Sequence, residues 1–372
     1  VIRFLTAGES HGPCLVGIIE GLPAGIKIKI SAIDDELQRR QHAPGRGNRM
    51  KIEDDRVTVL AGLRGGYTLG SPLALQITNF DYVNWKDKMD PILEPQGSKI
   101  TAPRPGHADY PGAVKYGFKD IRNVIERASA RETAMRTAIG AVARQILETK
   151  GIEIYSRVVC LGPVKISTGE PSEEELRRGR QFAYGIKDRE AEARAQKLIE
   201  ECRNSGTSVG GIVEVVAFNL PVGLGSYAHY ERRLDGQIAQ ALMSIPGVKG
   251  VEFGGAFDLA SSDPGVPGDS LQLNGHHQIL YVGNKNGGLA GGVSTGQPLI
   301  VRCAVKPIPT AMPGDSVDIA TLAPVRGVGE RSDATAVPAV RVIAENVLAW
   351  TLLVAVLTDG PQANSQLAYP QS

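Results

Sequence analysis

Cysteine is scarce in this chain. Cys14, Cys160, Cys202 and Cys303 are the only four in 372 residues, far apart and without a CxxC pair. That spacing argues against a zinc knuckle, a redox dithiol and a secreted disulfide framework, so a reducing cytoplasm is the expected setting. An excess of either charge is also lacking: 41 Lys and Arg against 40 Asp and Glu leave a formal net charge of +1. Nothing therefore pulls the whole molecule toward nucleic acid or an anionic membrane, and any anion site has to be local. No apolar run is long enough for a bilayer. The longest, Val347–Leu357, follows Arg341 and Glu345 and reads as a buried helix. The first residues, VIRFLTAGESHG, show no charged segment leading into an apolar one with a cleavage site. GxxxxGK[ST] is absent, and no GxGxxG follows a strand and opens a helix. Neither an internal repeat nor a low-complexity linker is legible.

What is present is a globular composition, 42% hydrophobic and 22% charged, on a length that allows two domains or one large layered domain. Glycine is concentrated in Asn284–Thr310, where Gly287, Gly288, Gly291 and Gly292 precede Ser294, Thr295, the strand-like PLIVRCAV and Lys306-Pro307. Such glycines let consecutive backbone N–H groups converge on an anion, so a phosphate cradle is one expectation; a ligand-free glycine hairpin is the other. Two histidines sit beside glycine, His11 in GESHG and His107 in RPGHAD, where an imidazole has room to face a ligand and Asp109 is near enough to orient the second ring. Arg39, Arg40, Arg46 and Arg49 fall in RRQHAPGRGNRM, broken by proline and glycine. Guanidinium forks held on a loop suit phosphate and carboxylate oxygens, whereas RNA binding would call for aromatic stacking partners that this stretch lacks.

Periodicity predicts strands at CLVGIIE, across 51–81, at Glu153–Leu161 and at GGIVEVVAFN, with a polar lid-like loop over Asp81–Lys99. One long helix is expected over Asp120–Lys150, a short one after a Ser31 or Asp34 cap, one opened by a capping box at Ser172–Glu175, one after Asp188, and one with Pro338 in its first turn. Residues 254–275 read as loop, His229, His276 and His277 as structural, and 361–372 as a disordered tail.

Taken in order, GESHG, RRQ…GRGNRMKIE, RPGHAD, RASARETA, GLGS…LD…ALMSI…KGVEFG, NGG…GG.STGQP, KPI.T and RSD…VPA resemble the motif series of the chorismate synthase family, and cover the chain to about Ala344. The resemblance implies a mixed α/β (α+β) fold, a layered β-α-β sandwich in a single large domain spanning 1–360, with a central helical layer between antiparallel sheets. It implies a cytoplasmic homotetramer that takes 5-enolpyruvylshikimate 3-phosphate to chorismate and phosphate by anti-1,4-elimination. Reduced FMN would be the cofactor, reduced by an external flavin reductase with NADPH as the indirect source. Carried over, flavin contacts fall on Arg127, Ala128, Ser129, Gly291, Lys306, Pro307, Ile308, Pro309, Thr310 and Arg331; substrate anions fall to Arg39, Arg40, Arg46 and Arg49. His11 and His107 match the proton-handling histidines and Asp333 the acid of the flavin site. Pro246-Gly247 and Thr335 depart from the family pattern, which has an amide residue and alanine at the first and often cysteine at the second. A magnesium-dependent phosphotransferase and a non-catalytic flavoprotein or RNA-binding assembly stand as the alternatives.

Overall fold

The computed structural model describes residues 1–167, 169–170, 172–265, 268–273, 275, 279–309, 314–327 and 333–360, with backbone only at 48 and 51. Thr310, Arg331, His276, His277 and the tail 361–372 lie outside the described residues.

Period-two alternation near the N-terminus produces β1 (Arg3–Ala7), β2 (Cys14–Glu20), β3 (Val57–Ala61) and β4 (Leu73–Thr78), paired antiparallel in the order β1-β2-β4-β3. Leu15, Ile19, Leu73, Leu75 and Ile77 turn inward, while Leu5, Ile18, Thr58 and Thr78 on the same strands face outward. A second antiparallel sheet is built from β5 (Glu153–Leu161), β6 (Val164–Lys165), β7 (Gly211–Phe218), β8 (Val248–Phe253) and β9 (Leu299–Val305), in the order β8-β9-β7-β5-β6.

The helices are α1 (Ile30–Gln41), α2 (Asp109–Tyr116), α3 (Arg122–Arg127), α4 (Thr133–Glu148), α5 (Glu173–Gly179), α6 (Arg189–Ser205), α7 (Leu234–Met243) and α8 (Val337–Thr358). Helix α8 is apolar around most of its girth, as a helix surrounded by protein must be, and Pro338 occupies its first turn as expected. Composition alone would let α8 cross a membrane, but 83% of its apolar window is buried in the protein. It packs on α4, on α1 and on β5 and β7, while α4 packs on β1, β2 and β4, so that one continuous apolar cluster reaches from sheet to sheet. Closeness of α4 to α8 rests on Gly140, where a Cβ would collide with the carbonyl of Asn346.

Several local expectations needed correction. The helix read over Asp120–Lys150 is interrupted: α3 ends at Arg127, Ser129 is extended (φ −65°, ψ 141°) with its hydroxyl accepting from Arg131 N–H, and α4 starts only at Thr133. A serine that bonds its own neighbouring backbone competes with helix, and here it wins. Neither Ser31 nor Asp34 caps α1, since Asp34 Oδ1 accepts from Val57 N–H at 2.8 Å instead. The polar loop after Asp81 holds the short turns Phe80–Asn84 and Lys86–Met89, and 254–275 holds a turn of helix (Ala256–Ala260) and a strand (Ser270–Leu273). The capping box at Ser172 and the Asp188 cap form as expected.

Candidate active site

The turn between β1 and β2 presents Ser10 and His11 next to the end of α3. His11 is held on three sides. Its backbone N–H donates to Glu126 Oε2 at 2.8 Å, its Nδ1 lies 3.0 Å from both Glu126 oxygens, and its Nε2 is 3.9 Å from Asp81 Oδ2. Trp85 stacks on the imidazole with ring centroids 4.0 Å apart and planes 26° from parallel. Burial alone would push the Glu126 carboxyl up, yet its bonds to His11 and Arg122 hold it below the usual carboxylate range.

Around this turn stand four guanidinium groups. Arg49 Nη1 donates to Ser10 Oγ at 2.7 Å and its Nη2 to Ser10 O and, at 3.1 Å, to Glu53. Arg131 donates to Asn79 Oδ1 at 3.0 Å and Asp55 Oδ1 at 2.5 Å, and Arg40 donates to Asp55 Oδ2 at 3.2 Å and to Thr133 Oγ1 at 3.1 Å. Arg46 Nη1 donates to Asp333 Oδ2 at 2.7 Å, while Gly47 N–H donates to the other Asp333 oxygen at 2.6 Å. Two donors in this group are left over: Arg46 Nε and Arg131 Nη2 are buried without a hydrogen-bond partner. Arg40 shows how crowded the positive charge is. Burial and the neighbouring Arg46 and Arg131 bring it down to about 9, against the opposite pull of Asp55 and Asp333.

Arg39 does not join them. One residue along α1 turns its side chain by about 100°, and Arg39 points to a buried ion cluster where it donates to Glu36 at 2.7 Å and to Glu345 at 2.9 Å. The expectation that Arg39 meets substrate anions is therefore corrected: both of its terminal nitrogens are occupied by chain carboxylates.

His107 forms a second centre. Its Nδ1 lies 2.5 Å from Asp109 Oδ1, and Arg104 donates to Asp109 from Nε at 2.7 Å. Burial raises the Asp109 carboxyl, but His107 and Arg104 together carry it far below the usual range. Lys306 Nζ donates to Gly106 O at 2.7 Å, and a Cβ at Gly106 would stand 3.0 Å from Pro309. The Lys306–Pro309 stretch thus lies directly against the His107 loop. The segment after α6 ties this to the arginine loop: Ser208 Oγ donates to Ile308 O at 2.8 Å, Val209 N–H to Ala334 O at 3.0 Å, Ala334 N–H to Gly45 O at 2.8 Å, and Arg203 to Arg46 O at 3.3 Å.

The glycine-rich stretch does something else. Gly287 N–H donates to Asn284 O, Gly287 O accepts from Ile300 N–H, Gly288 O from Thr295 N–H and Gly292 O from Leu234 N–H. A Cβ at Gly287 or Gly288 would run into Gly254 or Leu299, and Ser294 Oγ is already shared between Pro221 O and Leu224 N–H. The structure forms a hairpin here, and these glycines let it pack tightly at the start of β9. Gly291 turns that hairpin at φ 61°, and all of β9, roughly 20 Å of strand, separates it from Lys306. Arg127 likewise points elsewhere, to Thr6 and Gly8 carbonyls at 3.0 Å, whereas Ser129 Oγ reaches Ser10 Oγ at 3.1 Å. Thr335 is buried against Gly45, and Gly247 O accepts from Lys306 N–H at 2.9 Å.

Glu126, Arg131, Asp55, Trp85 and Arg104 were missed in the sequence. Glu126 and Arg131 sat in what read as a continuous helix face, and Arg104 stood next to a histidine that drew the attention. Trp85 carried a usable signal, being one of two tryptophans in the chain and lying in a polar stretch.

Imidazoles held by carboxylates, with guanidinium groups gathered beside one of them, are the equipment of an enzyme that moves protons on a small, multiply charged anion. The profile of the chorismate synthase family matches residues 2–357. A chorismate synthase from Desulforudis audaxviator is 50% identical over 356 residues, covering 95% of this chain and 91% of that protein; one from Carboxydothermus hydrogenoformans is 48% identical, covering 95% and 92%. A crystal structure titled as chorismate synthase superposes with a TM-score of 0.76 at 36% identity, over 96% of this chain and 91% of the other. The chain belongs to the chorismate synthase family, and with it to the lyases of the shikimate pathway.

Proposed function

We propose that this protein converts 5-enolpyruvylshikimate 3-phosphate to chorismate by anti-1,4-elimination of phosphate with reduced FMN. The observation that carries it is the gathering of Arg40, Arg46, Arg49 and Arg131 around the Ser10-His11 turn, with Arg46 Nε buried without a hydrogen-bond partner and Arg131 Nη2 no closer than 3.5 Å to Glu53. Buried donors without a hydrogen bond cost stability, and a phosphorylated dicarboxylate would supply closer acceptors in exchange for the chain carboxylates.

The cofactor fits part of the proposed flavin set. Lys306 through Pro309 lies against the His107 loop, and Ala128-Ser129 forms the break between α3 and α4 with its hydroxyl toward Ser10. Reduced flavin, when bound, supplies electron density to the allylic system as phosphate leaves and takes it back without net oxidation. The chain's own part is to bind and to manage protons. Arg46, Arg49 and Arg131 hold the phosphate and carboxylates by exchanging chain partners for them, and Arg40, whose nitrogens all bond Asp55, Thr133 and Ala130, adds its charge from behind. His11 gives its Nε2 proton to the departing phosphate oxygen, which takes the electron pair of the broken C–O bond. His107, locked by Asp109, holds protonation on the cofactor side. Asp333 is the acceptor for the proton lost from the substrate, and Arg46 has to turn toward substrate to release it. Gly291, Arg127, Thr310 and Arg331 complete the flavin set by family resemblance alone, and an external flavin reductase drawing on NADPH supplies the reduced cofactor.

We read residues 1–360 as one domain in which α4 and α8 lie as a layer between the two sheets, working as a homotetramer in the cytoplasm. The test is direct: reduced FMN and 5-enolpyruvylshikimate 3-phosphate are added anaerobically, and phosphate release is followed with the absorbance of chorismate. Absence of phosphate release with fully reduced flavin would sink the assignment.

A further inference from the structure

We propose that Glu126 is the positioning residue that sets the tautomer of His11, within a closed ring of four side chains: Glu126, His11, Trp85 and Arg122. The claim rests on the reading of His11 as the proton donor to phosphate. Each link of the ring is short. Glu126 meets His11 at Nδ1 and at the backbone N–H, Arg122 Nη1 donates to Glu126 Oε1 at 3.1 Å, the Arg122 guanidinium lies 4.9 Å from the centre of the Trp85 ring, and Trp85 stacks on His11. The carboxylate of Glu126 is 1% exposed, so water does not compete for these contacts.

Two of the groups facing that carboxylate are donors, the His11 backbone N–H and the Arg122 guanidinium, and the third is Nδ1 of the imidazole. An ionised carboxylate has only acceptors to offer, which places the ring proton on Nδ1 when His11 is neutral. Nε2 is then the nitrogen that carries the second proton when His11 is charged. During the elimination the Nε2–H bond breaks, its proton passes to the phosphate oxygen, and the remaining imidazole still donates from Nδ1 to Glu126. Trp85 closes one face of the ring and fixes its plane, and Arg122 braces both Trp85 and Glu126. Asp81 is the other charged group near the imidazole, 3.9 Å from Nε2 and equally far from Arg49 Nε.

Glu126→Gln is the informative change because it is nearly isosteric and cannot satisfy the same partners. Its amide NH2 must face one of three donors. If that donor site is Nδ1, the neutral ring has to place its proton on Nε2.

The experiment uses the full-length protein labelled with 15N in the histidine rings, with His11 assigned by the signal lost in His11→Asn. At a pH where His11 is neutral, the ring nitrogens of the unmodified protein should show protonation at Nδ1, and Glu126→Gln should move at least half of the population to Nε2. With reduced FMN and substrate, kcat of Glu126→Gln should fall by about a hundredfold, the lower end of what a general acid contributes. KM should stay within about threefold, since the Glu126 carboxylate is 1% exposed and turned to His11 and Arg122. Protonation at Nε2 in the unmodified protein would overturn the proposal without any variant having to fold, as would a Glu126→Gln protein with unchanged tautomer and unchanged kcat. The tautomer readout needs no turnover. A fully active His11→Asn would therefore overturn the proton-donor reading alone, and the nitrogen spectra would still decide whether Glu126 sets the ring.

Discussion

Asp333 and Arg46 hold each other at 2.7 Å, and each has a task that the contact prevents. A carboxylate bonded to a guanidinium is a poor proton acceptor, and a guanidinium bonded to a carboxylate is half spent as an anion receptor. Substrate binding has to exchange one partner for another. Asp333→Asn should keep the bond from Gly47 N–H, release Arg46, and leave KM unchanged or lower. Turnover should drop by about a hundredfold because the proton acceptor is gone. Single-turnover absorbance with reduced FMN measures both, and near-normal product formation would leave Asp333 as a clasp on the arginine loop only. At this scale the sequence singled out His11, His107, Asp333 and four arginines, and the structure sets Arg46 against Asp333 and Arg49 against Ser10 next to His11, while Arg39 and Arg40 stand on α1 and not on a loop. Adjacent arginines look alike in a string, and only the rotation of α1 sends Arg40 to Asp55 and Arg39 to Glu345.

Helix α8 carries two opposite charges through its apolar length. Glu345 is fully buried, with Arg39 Nη1 and Arg144 Nη1 each at 2.9 Å, Arg341 at 3.6 Å and the Ser156 hydroxyl donating as well. Burial raises the Glu345 and Glu36 carboxyls, but the surrounding guanidinium groups more than reverse this and hold both below the usual range. Groups with depressed pKa values stabilise the fold above their unfolded-state value, about 4.3 for glutamate, and lose that contribution as pH falls through the folded value. Melting temperature should therefore be flat through neutral pH and fall below roughly pH 4; Glu345→Ala, which strands three guanidiniums, should cost about 3–5 kcal/mol at pH 7. Thermal scans between pH 7 and 3 check both, and an acid-insensitive melting point would contradict the assignment. Gly140→Ala tests the α4–α8 contact. The added methyl meets the Asn346 carbonyl and Cβ, which cannot swing aside, so the helices must part at a cost of about 2 kcal/mol or more, read by urea titration. Sequence periodicity found β2, β3, β4, β5, β7, β9 and most of the long helices, but not β1, β8 or α2, and the break at Ser129 eluded it, because a helix-compatible pattern continues through a residue whose hydroxyl captures a backbone donor.

At the scale of the whole molecule, the hairpin formed by Ser270–Leu273 and Ile279–Val282 is the part least explained by a single chain. Leu271, Leu273 and Ile279 on one of its faces and Leu280 and Val282 on the other are all exposed. An isolated two-stranded hairpin is marginal in water. Burial of these side chains against another copy fits the homotetramer proposed above, and light scattering should return a mass near four times 39.6 kDa. A monomer that remains fully active would remove that reading.

The amino-acid sequence by itself determined the family, the alternation of antiparallel strands with amphipathic helices, and the residue types of the pocket. Those properties reside in local pattern and in ordered motifs, which survive without knowledge of what packs against what. Only the tertiary structure decided which donors are spent and which are spare. Glu126 reaches His11 across 115 positions, Arg39 reaches Glu345 across 306 and Asp333 reaches Arg46 across 287. It also decided that the glycines at 287–292 close a tight hairpin, with Gly287 against Gly254 and Gly288 against Leu299. Partners this distant are chosen by how the helices cross and how the sheets stack, and no local pattern records that choice.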